Sequence, residues 1–389
     1  MKILVLTPTF LPVVGGAELV VLEVYRRLAQ RHEVRVLTPV LDAALVRDHG
    51  TVEYEPLVNF AVERYADRVT FMRVPGHRWT MGGLPPFSLS AVAAVSRAVR
   101  AWRPDVLNVH YLMPTGLAGV VAQRALGVPT VLTLNGRDVP GPGVPALWRW
   151  WQRALLASVA GATYGSRYCR DGVYGAGAAR GEVIYNGVDI PPPAGDRALV
   201  RGRLGIGEEE RVVFALQRLA PEKRVGVLLF ALRRCLDVGM PLRLVIGGTG
   251  PEAESLRACA GELGVDKHVC FTGYIPRTEL ADYFAAADVF AFHSTFETFG
   301  IAVAQAMSYG LPVVTVRTTA LPEVLGDGGV LVEPGDPEAF GDALAVLAGD
   351  EARCRALGDR GRRRAQSLFS WRTVADGYEA ALRRAVEGA

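Results

Sequence analysis

The sequence predicts an α/β protein made of two doubly wound parallel-sheet domains in tandem. Three observations carry this. Apolar runs of strand length alternate with helical patterns along the chain, which is the pattern of parallel sheets wrapped by helices. Pro191-Pro192-Pro193 interrupts the alternation near the middle, and three residues that cannot donate to a sheet ladder make a stiff linker. The same alternation then restarts, and 389 residues suit two domains of ordinary size.

The first domain is expected over residues 1–190. Ile3–Thr7, Glu33–Thr38, Val69–Val74, Asp105–Val109, Thr130–Leu134, Ala162–Tyr164 and Glu182–Tyr185 read as its strands. The first helix follows Gly16, with Val20, Val21, Val24 and Leu28 on one face. Ser88 is placed to cap a helix running to Trp102. Residues 39–67 and 75–87 read as long loops. The second domain, expected over 196–369, offers Val212–Leu216, Leu242–Gly247, His268–Phe271, Val289–Phe292, Pro312–Val316 and Val330–Val332 as strands, with helices between them. From about Ala339 to Val386 the chain reads as helical and rich in Ala, Leu and Arg.

Composition narrows the function classes. Half the residues are apolar and 21% are charged, which excludes a disordered chain. The five cysteines form no C-x-x-C pair, and no His stands at zinc-ligand spacing from them. Neither structural zinc nor a disulfide framework is expected, and a cytoplasmic location is. The apolar start is broken by Pro8, Pro12 and Gly15, so it reads as a first strand rather than a signal peptide. The longest charge-free run, Val106 to Gln123, contains Asn108, His110 and Pro114 and is a poor membrane span. The net charge is only +3. The run Arg360, Arg362, Arg363 and Arg364 reads as a solvated helix face, and no nucleic-acid motif is present. Only three of the 43 basic residues are lysines, so Lys223 draws attention at a motif position. The mean hydropathy of +0.20 implies a large core and leaves room for a sticky patch. Trp148, Trp150 and Trp151 with Arg149 and Arg153 suit peripheral contact with an anionic membrane; ordinary core packing is the plainer reading.

Open parallel sheets bind ligands beyond the carboxyl ends of their strands. Four loops there carry suitable chemistry. Gly15 and Gly16 open the first helix, where backbone N–H groups and the helix dipole favour an anion; a tight turn needing left-handed φ is the alternative. Arg218 and Lys223, at the start of a helix after Val212–Leu216, suit a diphosphate clamp that needs no metal, or are solvated surface. Gly248-Thr249-Gly250 imitates a dinucleotide fingerprint, but Pro251 inside it favours a phosphate- or sugar-edge turn. Ser294 to Ile301 joins a strand to an apolar helix. There Glu297 is placed to take hydrogen bonds from sugar hydroxyls, with the N–H groups of Phe299 and Gly300 beside it, or else to cap the helix. His110 ends a strand and is an acceptor-side candidate, or a hydrogen-bonded core histidine.

These segments, in this order, resemble glycosyltransferase family 4, retaining enzymes of GT-B architecture whose two Rossmann-like domains face a central cleft. Val183-Ile184-Tyr185-Asn186-Gly187-Val188-Asp189 resembles the run "viPNGVD". Gln217-Arg218-Leu219 with Pro221-Glu222-Lys223 resembles "GRL-x-x-x-K", with Gln217 where the family usually has Gly. Phe271-Thr272-Gly273 and Tyr274 resemble the base-side loop "F-x-G". Ser294 to Gly300 resembles "S-x-x-E-x-F/G-G", and Gly310 to Val314 resembles "G-x-PVV". Leu321-Pro322-Glu323-Val324 resembles the diphosphate loop "GG-x-x-E", with Thr319 and Ala320 replacing the glycines. Phe369-Ser370-Trp371 resembles "fsW" before a last helix, here 370–389, that in the family crosses back to the first domain.

The resemblance implies a metal-independent hexosyltransferase. It would move a sugar from a UDP- or GDP-sugar to a glycan, glycolipid or small-molecule hydroxyl, with retention and no further cofactor. Glu297, Arg218 and Lys223 take the catalytic roles. Gly15, Gly16, Asn135, Gly250, Phe271, Gly273, Tyr274, Phe299, Gly300, Ile301, Gln305 and Glu323 fall on the donor side, and His110, Arg137 and Asp138 on the acceptor side. The sequence departs from the family at Gln305, where a second Glu is usual, at Asn135, where His is common, and at Gln217, Thr319 and Ala320, whose side chains narrow the phosphate loops. Those departures keep two alternatives open: a non-catalytic sugar-nucleotide-binding partner, and a nucleotide-sugar epimerase of the same architecture.

Overall fold

The computed structural model describes residues 1–13, 15–41, 55–71, 86–134, 136, 146–174, 181–190 and 192–389. The chain divides into two compact units. Unit 1 comprises Met1–Asn186 and Trp371–Ala389, and unit 2 comprises Gly187–Ser370.

Unit 1 is built on a parallel sheet. Its described strands are β1 (Lys2–Leu6), β2 (Glu33–Pro39), β3 (Ala61–Tyr65), β6 (Val106–His110), β7 (Thr130–Leu134), β8 (Gly161–Tyr164) and β9 (Glu182–Val183). Their order is β3-β2-β1-β6-β7-β8-β9, so the winding reverses between β1 and β6. Alternation along the central strands feeds two cores. Leu4, Leu6, Leu107, Val109, Leu132 and Leu134 face one side. Ile3, Val5, Val106 and Val131 face the other, with helix α1 (Gly16–Leu28). Being buried on both faces makes these strands read as continuous apolar runs.

Two expectations change here. The stretch 39–67 is not all loop, because β3 lies within it and pairs in parallel with β2. It escaped detection because an edge strand needs only one apolar face, and Ala61–Tyr65 carries Glu63 and Arg64; Glu63 pairs with Arg35 across the ladder at 2.6 Å. Of the run at Val69–Val74, the described residues Val69–Phe71 do not join the parallel sheet. There β4 (Thr70–Phe71) pairs antiparallel with β5 (Phe87–Ser88). Ser88 does cap the next helix, α2 (Leu89–Trp102), its hydroxyl accepting from Ala91 N–H at 3.0 Å.

Further along unit 1 lie α3 (Gly116–Ala125), α4 (Ala146–Ala157) and α5 (Arg167–Tyr174). In α4, Leu155 and Leu156 are buried and Trp151 packs against the core. Trp150 is 62% exposed and Leu147 49%. The aromatic cluster is therefore split between core and surface. Among the described residues, no helix is long and apolar enough to cross a membrane.

Unit 2 has six described strands: β10 (Arg211–Leu216), β11 (Leu242–Gly247), β12 (Val269–Gly273), β13 (Val289–Phe292), β14 (Val313–Val316) and β15 (Gly329–Val332). They form a parallel sheet in the order β12-β11-β10-β13-β14-β15, reversing between β10 and β13. Helices α6 (Arg197–Arg203), α7 (Gly226–Asp237), α8 (Ala253–Glu262), α9 (Leu280–Ala286), α10 (Ile301–Ser308), α11 (Leu321–Leu325), α12 (Pro337–Gly349) and α13 (Glu351–Leu368) belong to it. Phe214 meets Phe284 edge-to-face at 5.2 Å in its core.

The arginine run on α13 is more than a solvated face. Arg362 donates to Tyr309 O at 3.1 Å, and Arg364 donates to Val324 O at 2.9 Å and Glu323 O at 2.6 Å. Arg360 donates to Asp327 O at 3.1 Å. Three of the four guanidiniums thus satisfy carbonyls at or just beyond the ends of α10 and α11. The final helix, α14 (Trp371–Glu387), packs in unit 1, where Trp371, Val374, Ala375, Tyr378, Leu382 and Ala385 share the core of Ile3 and Val5. Their spacing makes one helical stripe.

Candidate active site

In a doubly wound sheet the ligand crevice lies beyond the carboxyl ends of the strands, where the order reverses. In unit 2 that is the gap between β10 and β13, so the loops after these strands, and after β11 and β14, lie nearest the crevice.

The loop after β10 is tied to the loop after β11 by backbone. Gln217 N–H donates to Gly247 O at 3.1 Å, Leu219 N–H to Thr249 O at 2.9 Å, and Glu252 N–H to Leu219 O at 3.0 Å. A Cβ at Gly248 would stand 2.0 Å from Gln217 O, and one at Gly250 2.1 Å from Leu219 O. The glycines are needed because the two loops press backbone to backbone. That gives Gly248 and Gly250 a packing reason that a dinucleotide fingerprint does not require.

Arg218 and Lys223 do not open a regular helix. Arg218 is exposed in the loop, Pro221–Lys223 is a single 3-10 turn, and α7 begins only at Gly226. Arg224, at φ +44°, separates the two, and a left-handed non-glycine residue cannot continue a right-handed helix. Among the described residues, no protein group pairs with the Arg218 guanidinium.

The loop after β13 meets this turn. Thr295 donates to Glu222 O twice, from N–H at 2.9 Å and from its hydroxyl at 3.0 Å. The Lys223 ammonium forms an ion pair with the Glu297 carboxylate, and both side chains are largely buried. The ammonium also lies 5.6 Å from the Phe292 ring centroid. Glu297 is not a helix cap: Gly300, at φ +91°, is the N-cap of α10 and no side chain bonds there. The two charged residues on which the sequence reading relied most are thus brought together, one from each strand flanking the reversal.

The loop after β14 completes the arrangement. Thr318 hydroxyl donates to Ser294 O at 2.9 Å, and Ala320 N–H donates to Glu297 O at 3.2 Å. Thr319 adopts φ +46°, and its hydroxyl accepts from Glu297 N–H at 2.9 Å. The strained threonine where glycine is usual therefore gains a bond that no glycine can make, to the backbone of the acidic residue.

The remaining candidates divide. Gly273 sits at φ +73° beside exposed Tyr274, and Phe271 lies in β12 with the Arg257 guanidinium 4.8 Å from its ring centroid. Ile301 and Gln305 are half-buried in α10, and Glu323 is half-buried in α11. The Phe299 side chain is a core group, edge-to-face with Phe369 at 5.2 Å. In unit 1, Gly15 is extended at φ −136° rather than left-handed, and Gly16 begins α1. Asn135, Arg137 and Asp138 lie outside the described residues.

The acceptor-side reading of His110 is corrected. Its ring is fully buried, stacks on Tyr378 at 6.1 Å, and lies 3.2 Å from the Tyr25 hydroxyl. Tyr25 donates to Asn108, whose amide donates to Val131 O at 2.8 Å and Thr133 Oγ1 at 2.9 Å. His110 belongs to a polar network inside the unit 1 core. Sequence reasoning also missed His293. Burial and the Arg224 guanidinium lower the His293 pKa to about 4. No protein partner reaches either polar atom of the Gln217 amide. Only the departure of Gln217 from a family motif signalled it.

Comparison with known proteins fits this geometry. The model described as "Glycosyl transferases group 1" matches residues 196–364, and that described as "Glycosyltransferase Family 4" matches residues 14–190. The chain is 32% identical to a GDP-mannose-dependent alpha-(1-6)-phosphatidylinositol monomannoside mannosyltransferase of Mycolicibacterium smegmatis, over 85% of this chain and 89% of that protein. It is 32% identical to a D-inositol 3-phosphate glycosyltransferase of Segniliparus rotundus, over 74% of this chain and 68% of that one. Among solved structures, HepE of Anabaena in complex with UDP superposes with a TM-score of 0.79 at 22% identity, covering 98% of this chain and all of the other. The two all-parallel sheets and these relatives together place the chain among the GT-B glycosyltransferases, as a member of glycosyltransferase family 4.

Proposed function

We propose that the chain is a retaining, metal-independent transferase that moves a hexose from a UDP- or GDP-sugar to an acceptor hydroxyl. The observation that carries this is the meeting of Lys223 and Glu297 at the point where the unit 2 sheet reverses. A cation for the diphosphate and a carboxylate for sugar hydroxyls then stand side by side. The donor class draws support from the GDP-mannose-dependent mycobacterial relative and from HepE, which was solved with UDP-glucose.

In the reaction, the bond from sugar C1 to the diphosphate oxygen breaks and a bond from the acceptor oxygen to C1 forms on the same face. The acceptor proton passes to the departing diphosphate. Arg218 and Lys223 neutralise the charge that develops on that leaving group. Glu297 accepts hydrogen bonds from the sugar and fixes its orientation. Gly273 and Tyr274 flank the base, and Gln305 takes the ribose, where an amide can both donate and accept. Donor binding splits the Lys223–Glu297 pair between the two halves of one ligand, so each charge keeps a partner.

We place the protein in the cytoplasm, with Leu147, Arg149 and Trp150 on the outer face of α4 suited to an anionic membrane surface. The test is incubation with a panel of UDP- and GDP-sugars and candidate acceptors, following nucleotide release and the anomeric configuration of the product. Acceptor-dependent release that Glu297→Ala abolishes is the expected result. Donor binding without transfer to any acceptor would favour the non-catalytic reading, and an altered sugar in the absence of acceptor would favour an epimerase.

A further inference from the structure

Gln217 follows β10 directly, between half-buried Leu216, the last residue of that strand, and Arg218. It is 8% exposed, and neither its amide oxygen nor its amide nitrogen has a protein hydrogen-bond partner. Buried side-chain amides are nearly always paired, because leaving one bare forfeits its hydration with no return. The residue also sits where its backbone is pressed against Gly248, at the strand end beside the sheet reversal. Phe214 pairs with Phe290, and three residues further along each strand stand Gln217 and His293. His293 is buried as well, and its Nδ1 has no partner. Three unfilled hydrogen-bonding atoms thus follow the two strands that carry Lys223 and Glu297 on their loops.

We propose that Gln217 is a specificity-determining residue whose carboxamide turns onto a vicinal diol of the bound donor. The inference rests on the donor-site reading given above. The chemistry of the amide selects the ligand group. Phosphate oxygens only accept, so a diphosphate would satisfy Nε2 and leave Oε1 bare. Two adjacent hydroxyls satisfy both, one accepting from Nε2–H and the other donating to Oε1. No protein bond holds the amide in the free enzyme, so rotation about its side-chain torsions breaks none. A ligand that satisfies both amide atoms therefore offers an interaction that the protein itself does not supply, and this favours the bound form. A glycine at this position supplies no such contact.

The diol belongs either to the ribose or to the transferred sugar, and the test separates them. Binding of UDP, GDP, UDP-glucose and GDP-mannose to the full-length wild type and to Gln217→Leu is measured by calorimetry, with unfolding temperatures recorded without ligand. Leucine fills most of the same volume with apolar atoms, one bond shorter, and removes both hydrogen-bonding atoms. The expected result is a loss of about tenfold or more in donor affinity, with an unfolding temperature unchanged or raised. A loss already present with the nucleotide alone, and absent when its 2′-deoxy form is compared, assigns the ribose; a loss seen only with the nucleotide sugar assigns the sugar. Gln217→Gly provides the same comparison should the leucine variant fail to fold. Equal affinity of wild type and variant for every ligand overturns the inference and leaves the donor site standing. A wild type that binds none of the four ligands overturns the donor-site reading and this inference with it.

Discussion

Lys223 and Glu297 neutralise each other in the donor-free protein, and this shapes what substitution does. Glu297→Gln removes the carboxylate but keeps its size and backbone bonds, leaving the Lys223 ammonium without its anionic partner. Turnover is expected to fall about 100-fold or more, in line with the loss of one preorganised polar group, while affinity for the bare nucleotide diphosphate holds or rises. Steady-state kinetics and calorimetry on one preparation read both, and turnover within threefold of wild type would remove Glu297 from the mechanism. Thr319→Val keeps the branched shape but deletes the acceptor for Glu297 N–H. It should cost about 1 kcal/mol of stability, seen as a lower urea midpoint, and reduce turnover by displacing the Glu297 loop. At this scale the sequence displayed the charged residues through their motif spacing. It could not display their pairing, because that depends on Thr295 docking onto Glu222 across two loops distant in sequence.

Elements were legible in proportion to how much apolar surface they bury. β1, β10 and β13 announce themselves because every residue or nearly every residue is buried. β3 hid because it is an edge strand with mixed polarity. The turn Pro221–Lys223 was mistaken for the start of a helix because residue composition does not reveal that Arg224 adopts a left-handed φ. The arginines of α13 looked like solvated charge because their carbonyl partners are long-range. Arg364→Ala strips donors from Glu323 O and Val324 O on α11; a loss of about 2 kcal/mol in unfolding free energy is expected. His293, at the end of β13, gives the acid response. Its pKa is lowered to about 4 in the fold against about 6.5 in the unfolded chain. The unfolded state therefore binds the extra proton between those values. Stability contributed by neutral His293 is complete above about pH 6.5 and declines as pH falls toward 4, by on the order of 3 kcal/mol. Urea midpoints at pH 7 and pH 4.5 should differ less in His293→Leu than in the wild type. An identical drop in both would remove His293 as the cause.

For the whole molecule, the chain leaves unit 1 after Asn186 and returns to it at Trp371. Helix α14 is therefore part of the unit 1 core rather than an appendage. Truncation after Ser370 uncovers Ile3, Val5, Val20 and Val24 on the face that Trp371, Tyr378 and Leu382 cover. Burying one large apolar side chain is worth about 1.5–3 kcal/mol, and several are exposed at once against a typical total stability of about 5–15 kcal/mol. Unit 1 of the truncated chain should be unfolded and rapidly proteolysed; a protease-resistant unit 1 would contradict this packing account. The two-sheet plan was readable from the alternation of strand and helix patterns along the chain. The polar network around His110 was not, because Tyr25, Asn108, Thr133 and Tyr378 come from four elements distant in sequence and meet only in the folded core. In the proposed reaction the loops at the reversal of the unit 2 sheet hold the activated sugar. A crystal structure of the chain with bound UDP-glucose or GDP-mannose tests this placement most directly. The diphosphate is expected against Arg218 and Lys223, with sugar hydroxyls on Glu297. A diphosphate bound without contact to either cation would contradict it.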